Sequence, residues 1–301
     1  MPADLRLGLT AALGAYMIWG LLPLYFKVLG HIPPTDMLAH RIVWSVPTGI
    51  VFLAISSRWD DLRLALTPGK LKWLLLSGCM IGANWFLYIW AVGEDRVMEA
   101  SLGYYINPLV NVLIGFVFLS ERLRVAQWIA VGLAAIGVLI MTAAFGRFPW
   151  VSLVLCLTFA IYSLIRKQVQ VDARAGFVVE AAMLLPVAAG WLIHRGILVG
   201  ADVLGQSVTD IPLLILSGPI TAVPLILFAI AAKRLMLSTV GMFQYLAPTL
   251  QFLIALLLGE PFGLTHAIAF GFIWAALILF TTDSVLGNRR ARRLARAAQV
   301  S

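Results

Sequence analysis

The chain has 301 residues, 61% hydrophobic and 12% charged, with a formal net charge of +8 and a mean hydropathy of +0.96. A soluble domain carries about twice that charged fraction, so composition excludes a soluble globular protein and leaves a polytopic helical membrane protein. The basic excess does not signal nucleic acid, because the basic residues sit between apolar runs.

Apolar runs of spanning length fall near residues 8–29, 37–56, 71–92, 98–119, 125–143, 149–166, 176–194, 211–231, 237–258 and 263–283. These predict ten helices, because about 20 residues at about 1.5 Å each cross a hydrocarbon core of about 30 Å. The first run follows Asp4 and Arg6 and is too long for a signal-peptide core, so it reads as an uncleaved first span. Most connections are short, which makes neighbouring helices antiparallel. Cys79 and Cys156 both lie inside apolar runs and read as packing residues.

Basic residues set the orientation. With a cytoplasmic N-terminus, seventeen of the 22 Lys and Arg fall on the inner side, including Arg289, Arg290, Arg292, Arg293 and Arg296 of the tail. Only Lys27, Arg96, Arg147 and Arg195 fall outside, and Arg41 lies within a span. Both termini are therefore expected in the cytoplasm, with the tail held against anionic lipid.

The fourth run, EASLGYYINPLVNVLIGFVFLSERLR (99–124), carries polar residues on one stripe. Ser101, Tyr104, Pro108 and Asn111 are spaced three, four and three apart and share a helix face. An offset of 140 carries Tyr104, Pro108 and Asn111 onto Gln244, Pro248 and Gln251, Ser77-Gly78 onto Ser217-Gly218, and Tyr105 onto Tyr245. One deletion later, Glu121 falls opposite Glu260. This reads as an internal duplication. Five helices per copy is an odd number, so the second copy enters the membrane from the opposite side. The predicted class is all-α integral membrane: ten transmembrane helices as two inverted repeats. Residues 1–145 hold spans one to five, 146–286 hold spans six to ten, and 287–301 form a basic cytoplasmic tail. Such repeats bracket a midplane site in transporters.

Aromatic rings with a few amides suit small amphiphilic organic molecules. The candidate substrate-binding residues are Tyr16, Trp19, Trp44, Asn84, Tyr88, Tyr104, Asn111, Tyr162, Gln244 and Gln251. The plainer alternative is interhelical hydrogen bonding and interfacial aromatic belts. Arg41, Glu99 and Glu180 are candidates for gating or coupling, because a charge inside a span costs at least a few kcal/mol unless it pairs or snorkels. Arg41, with His40, Glu94, Asp95 and Glu99 as expected neighbours, reads as an outer gate or a carboxylate-binding arginine, or else as half of a structural pair. Glu180, expected near Arg166, Lys167 and Lys233, reads as a structural pair or a proton-coupling carboxylate. Pro23, Pro47, Pro108, Pro186, Pro224 and Pro248 permit kinks, as hinges or as static bends. The sequence has no Walker A loop, HExxH or GxSxG, and its four histidines lack metal-ligand spacing. No catalytic residue, metal or cofactor is therefore expected.

HRIVWS (40–45), GANWFLYIWAV (82–92), the 99–123 block, YSLIRK (162–167) and FQYLAPTLQFLIAL (243–256) resemble the RarD group of EamA-type carriers in the drug/metabolite transporter superfamily. The likeness spans about 8–284. It implies two EamA repeats in a bacterial cell inner membrane and the export of small organic solutes such as amino acids, metabolites or drugs. The group's name goes with chloramphenicol sensitivity. The combined reading is a secondary transporter working by alternating access through a central cavity. Its partners are a small-molecule solute and the lipid bilayer, not nucleic acid. The rivals are a membrane-embedded enzyme acting on lipid-linked substrates and a non-transporting scaffold.

Overall fold

The computed structural model describes residues 3–298 apart from 95, 147, 206 and 258–262, with side chains described as far as Ser284. Asp95 and Glu260, and the side chains of the tail arginines, lie outside the described residues. The helices are α1 (Ala3–Val28), α2 (Pro34–Ile55), α3 (Trp59–Ala65), α4 (Pro68–Gly93), α5 (Val97–Phe118), α6 (Val125–Phe145), α7 (Trp150–Gln168), α8 (Ala173–Ile193), α9 (Asp210–Arg234), α10 (Leu237–Gln244), α11 (Leu246–Leu257) and α12 (Leu264–Ala298). A π-helical turn, His194–Leu198, continues α8. Among the described residues, ten segments are long and apolar enough to cross a membrane, with α10 and α11 together making one of them.

Local chemistry sets the helix ends. Pro34 and Pro68 stand in the first turns of α2 and α4, where a missing N–H costs nothing. The Asp172 carboxylate accepts from the Arg174 N–H at 2.9 Å and caps α8. Gly146, at φ 73°, ends α6 in the left-handed region. Two features depart from a plain ten-rod reading. The 57–70 connection folds into the short α3, and the ninth span is two helices broken at Tyr245. Pro248 has no N–H for the Gln244 carbonyl, and the Tyr245 N–H bonds Met242 O instead (3.3 Å).

Helix packing follows a recurrent pattern. α1 lies on α9 and α7 on α4; α5 lies on α7, and α10–α11 on α1; α2 lies on α9 and α8 on α4. α2 with α8, α5 with α10, and α6 with α12 complete the set. Hydrophobicity alone does not drive these contacts, because lipid is as apolar as leucine, so close backbone approach and polar stitches hold the bundle. Gly218 of α9 lies directly on the Trp44 backbone, where any Cβ would collide with the carbonyl. Gly241 of α10 meets α5 the same way, with an added Cβ falling 2.8 Å from Pro108 O. At the centre, Tyr16, Tyr162 and Phe228 are fully enclosed, with Tyr162 stacked on Phe228 at 5.9 Å.

Because the spans alternate, the bundle has two ends. The near end carries the starts of α1, α4, α8 and α10 and the finishes of α2, α5, α7 and α9. The far end carries the opposite termini.

Candidate functional site

A cavity of about 200 Å³ opens among α1, α2, α4, α5, α7, α9 and α10–α11. Its wall residues run from mid-span to the far end: Tyr16 to Phe26 on α1, Ile81 to Ile89 on α4, Ala100 to Asn107 on α5 and Gln244 to Gln251 on the broken helix. Of the candidate binding residues, Tyr16, Trp19, Asn84, Tyr88, Tyr104, Gln244 and Gln251 reach this wall, and so does Arg41.

Trp44, Asn111 and Tyr162 do not line it. Trp44 is held by its backbone against Gly218, and Tyr162 is enclosed in the central cluster. Asn111 is fully buried, and its Nδ2 donates to Gln244 Oε1 at 2.9 Å. The Ser101–Tyr104–Pro108–Asn111 stripe therefore divides. Its first half faces the cavity, whereas its second half is covered by α10, because Gly241 lets the two backbones close.

Several polar groups in the wall are already committed to joining helices. Asn84 Nδ2 donates to Leu155 O at 2.8 Å and to Thr158 Oγ1 at 3.0 Å. The Tyr16 hydroxyl donates to Val240 O at 3.1 Å. Gln251 Nε2 donates to Trp19 O at 3.2 Å. That carbonyl stands four residues before Pro23, which has no N–H to offer it, so the glutamine satisfies an acceptor that the proline orphaned.

Arg41 differs from these. Its Nε donates to Thr221 Oγ1 at 3.0 Å, and its guanidinium lies 5.5 Å from the Phe26 ring centroid and 5.3 Å from that of Trp85. Among the described residues no carboxylate pairs with it, and none lines the cavity. The neighbours expected from sequence are engaged elsewhere or face outward. His40 Nε2 lies 2.7 Å from Val203 O, and Glu94 is exposed. Glu99 is fully buried at the far end: its Oε1 accepts from the Val151 N–H at 2.9 Å, its backbone carbonyl accepts from the Ser152 hydroxyl, and Arg96 stands 3.3 Å away. Glu99 thus caps the start of α7.

Buried charges join the helices at the near end. Glu180 accepts from Ser77 Oγ, and its Oε1 lies 3.3 Å from Arg166 Nη1, both residues being almost fully buried. Arg166 Nη2 also donates to Ala173 O at 2.9 Å. Beside this latch, Glu121 Oε1 accepts from the Leu237 N–H at 2.5 Å, and Oε2 accepts from the Ser238 N–H at 2.9 Å and its hydroxyl at 2.7 Å. These are the first free N–H groups of α10, where a carboxylate also meets the positive end of the helix dipole. Lys167 approaches Glu121 at 3.8 Å and donates to Ala232 O and Leu235 O. Lys233 donates to Val171 O. Between latch and cavity, Ile81, Trp85 and Leu225 leave a gap of about 10 Å³, room for about one water.

Sequence reasoning did not select Glu121 or Thr221 for the site. Glu121 closes its bonds to α10 across more than a hundred residues, and Thr221 matters only through Arg41.

The family model for the EamA-like transporter family matches residues 6–143. Protein RarD of Escherichia coli K12 is 44% identical over 291 residues, covering 96% of this chain and 98% of the relative. The chain is a RarD-type member of the EamA-like transporter family. The uncharacterized transporter YojE of Bacillus subtilis is 41% identical, covering 96% and 98%. The chloramphenicol-sensitive protein RarD of Pseudomonas aeruginosa is 34% identical, covering 95% and 97%. A solved crystal structure superposes with a TM-score of 0.71 over 91% of this chain and 97% of that one; at 21% identity the likeness carries the fold alone. The RarD relatives and the ten apolar spans make this chain a multi-pass transporter of the bacterial inner membrane.

Proposed function

We propose that this RarD-type chain exports small amphiphilic organic solutes, such as amino acids, metabolites or drugs, by alternating access through the cavity. The observation that carries the reading is the pairing of an aromatic, polar cavity in one half of the bundle with buried ionic latches across the other half. An alternating carrier needs one end open while the opposite end is held by contacts that can break. The positive-inside bias puts the near end in the cytoplasm, so the state described is open outward and latched inward.

An inverted pair of repeats, 1–145 and 146–286, accounts for the packing pattern. Exchanging spans one to five with six to ten turns the most extensive contacts between unlike spans into one another: α1 on α9 becomes α7 on α4, and α2 on α9 becomes α8 on α4. The two ionisable residues follow the same exchange. Arg41 of α2 bonds Thr221 of α9, and Glu180 of α8 bonds Ser77 of α4. Rocking one half against the other would close the far half of the cavity as the near latches part.

The test uses thiols in a Cys79→Ser, Cys156→Ala background in membrane vesicles. The Tyr104→Cys thiol reacts with an impermeant maleimide from the periplasmic face, and the Ser238→Cys thiol from the cytoplasmic face. Glu121→Gln raises the second rate and lowers the first. Labelling of both positions from one face, or rates that do not move in opposite directions, overturns the reading.

A further inference from the structure

We infer that the solute is a small organic anion, its charged head held by Arg41 and an apolar body of about one ring lying against the aromatic wall. The inference rests on the transport reading and narrows its solutes to organic anions, which leaves out the zwitterionic amino acids. A cation inside the membrane normally has a partner, and even the arginines at the ends of these spans have one: Arg166 with Glu180, Arg195 with Asp36, Arg96 with Glu99 and Arg124 with Asp283. Arg41 lines the cavity with no described carboxylate beside it, and the cavity wall contains no described acidic side chain.

The orientation of its donors is specific. Nε is taken by Thr221, and the guanidinium plane is flanked by Phe26 and Trp85. Tyr25, Tyr88 and Tyr104 stand near the guanidinium, but no described side chain accepts a hydrogen bond from its two terminal nitrogens, which leaves the paired edge that binds carboxylate, sulfonate or phosphonate in a two-point fork. Asn84 Nδ2 is spent on Leu155 O and Thr158 Oγ1, and Gln251 Nε2 gives one N–H to Trp19 O, so Arg41 is the one cationic donor among the described wall residues.

Volume and lining define the rest. A cavity of about 150 Å³ admits a benzene ring, and this one, at about 200 Å³, takes a ring with a short charged arm. Trp19, Trp85, Tyr88 and Phe159 supply the apolar faces. A solute carrying an ammonium group would find no carboxylate for it there, and a neutral solute would leave the guanidinium uncompensated.

The test needs no variant at first. The purified full-length chain in detergent is titrated with phenylacetate, benzenesulfonate, phenylacetamide, phenethylamine and L-phenylalanine, with binding read as thermal stabilisation. Counterflow of labelled benzenesulfonate, which cannot cross lipid unaided, is measured in proteoliposomes. The two anions are expected to bind at least tenfold more tightly than the amide, the amine and the zwitterion. Arg41→Gln abolishes that preference, and Arg41→Lys keeps part of it, because the charge remains and the fork does not. The amide, amine or zwitterion binding as well as the anions overturns the anion assignment, and so does undiminished anion affinity in folded Arg41→Gln. If neutral or cationic probes exchange without regard to Arg41, only the anion assignment falls. If no probe of any charge binds or exchanges, the transport reading falls with it.

Discussion

Two arginines inside this membrane protein have opposite surroundings. Arg166, at the near end, is wrapped by Glu180, the Ala173 carbonyl and, through Glu180, Ser77. Arg41, towards the far end, has a threonine, two aromatic faces and an open cavity. In the proposed cycle that difference gives one residue type two tasks. A buried charge whose partner belongs to the protein is a latch, because removing either member strands the other. A buried charge without a partner holds electrostatic free energy in reserve for whatever anion arrives.

The comparison breaks most visibly at the latch. Arg166→Met leaves Glu180 buried without its cation and is expected to destabilise the chain by about 3–5 kcal/mol, seen as a large fall in melting temperature in detergent. The double variant Arg166→Met, Glu180→Leu should recover most of that loss, since a well-packed apolar pair often equals a buried ionic one. A double variant as unstable as the single one would show that Arg166 acts through something other than the pair.

The next effect tests the two helix crossings that flank these arginines. Gly218→Ala drives a methyl into the rigid Trp44 backbone, three residues along α2 from Arg41, and should cost about 1–3 kcal/mol or prevent folding. Gly78→Ala, on the latch side, meets the flexible tip of Met183 at 2.7 Å and should be tolerated far better. Expression yield and thermal unfolding of the two variants check the ranking.

Glu121→Gln is expected to cost about 1 kcal/mol through the weakened cap on α10. Its distinguishing signature is functional: faster labelling of the Ser238→Cys thiol from the cytoplasmic face. Smallest of all, Arg41→Met should shift stability by no more than about 1 kcal/mol in either direction, because no buried carboxylate is stranded by it. A fall as large as that of Arg166→Met would mean that Arg41 is a structural pair after all.

Sequence alone determined the class, the ten spans and the stripe of polar residues on the fourth, because crossing a membrane imposes a minimum apolar length and leaves few reasons for polarity within it. It also singled out Arg41 and Glu180, since an ion in a span stands out against its neighbours. The tertiary structure decided which polar residues face space and which face each other. Tyr104 and Asn111 share a stripe, yet one meets the cavity and the other Gln244, because Gly241 brings α10 onto half of that face. The proposed repeat sets Gln251 opposite Asn111, but Gln251 donates to the carbonyl that Pro23 orphans on another helix. The pairing of Glu180 with Arg166 and the placing of Glu99 and Glu121 at helix starts likewise rest on bonds between separate segments. Helical periodicity specifies the direction of a side chain from its own axis; only the packing of the other helices specifies what it finds there.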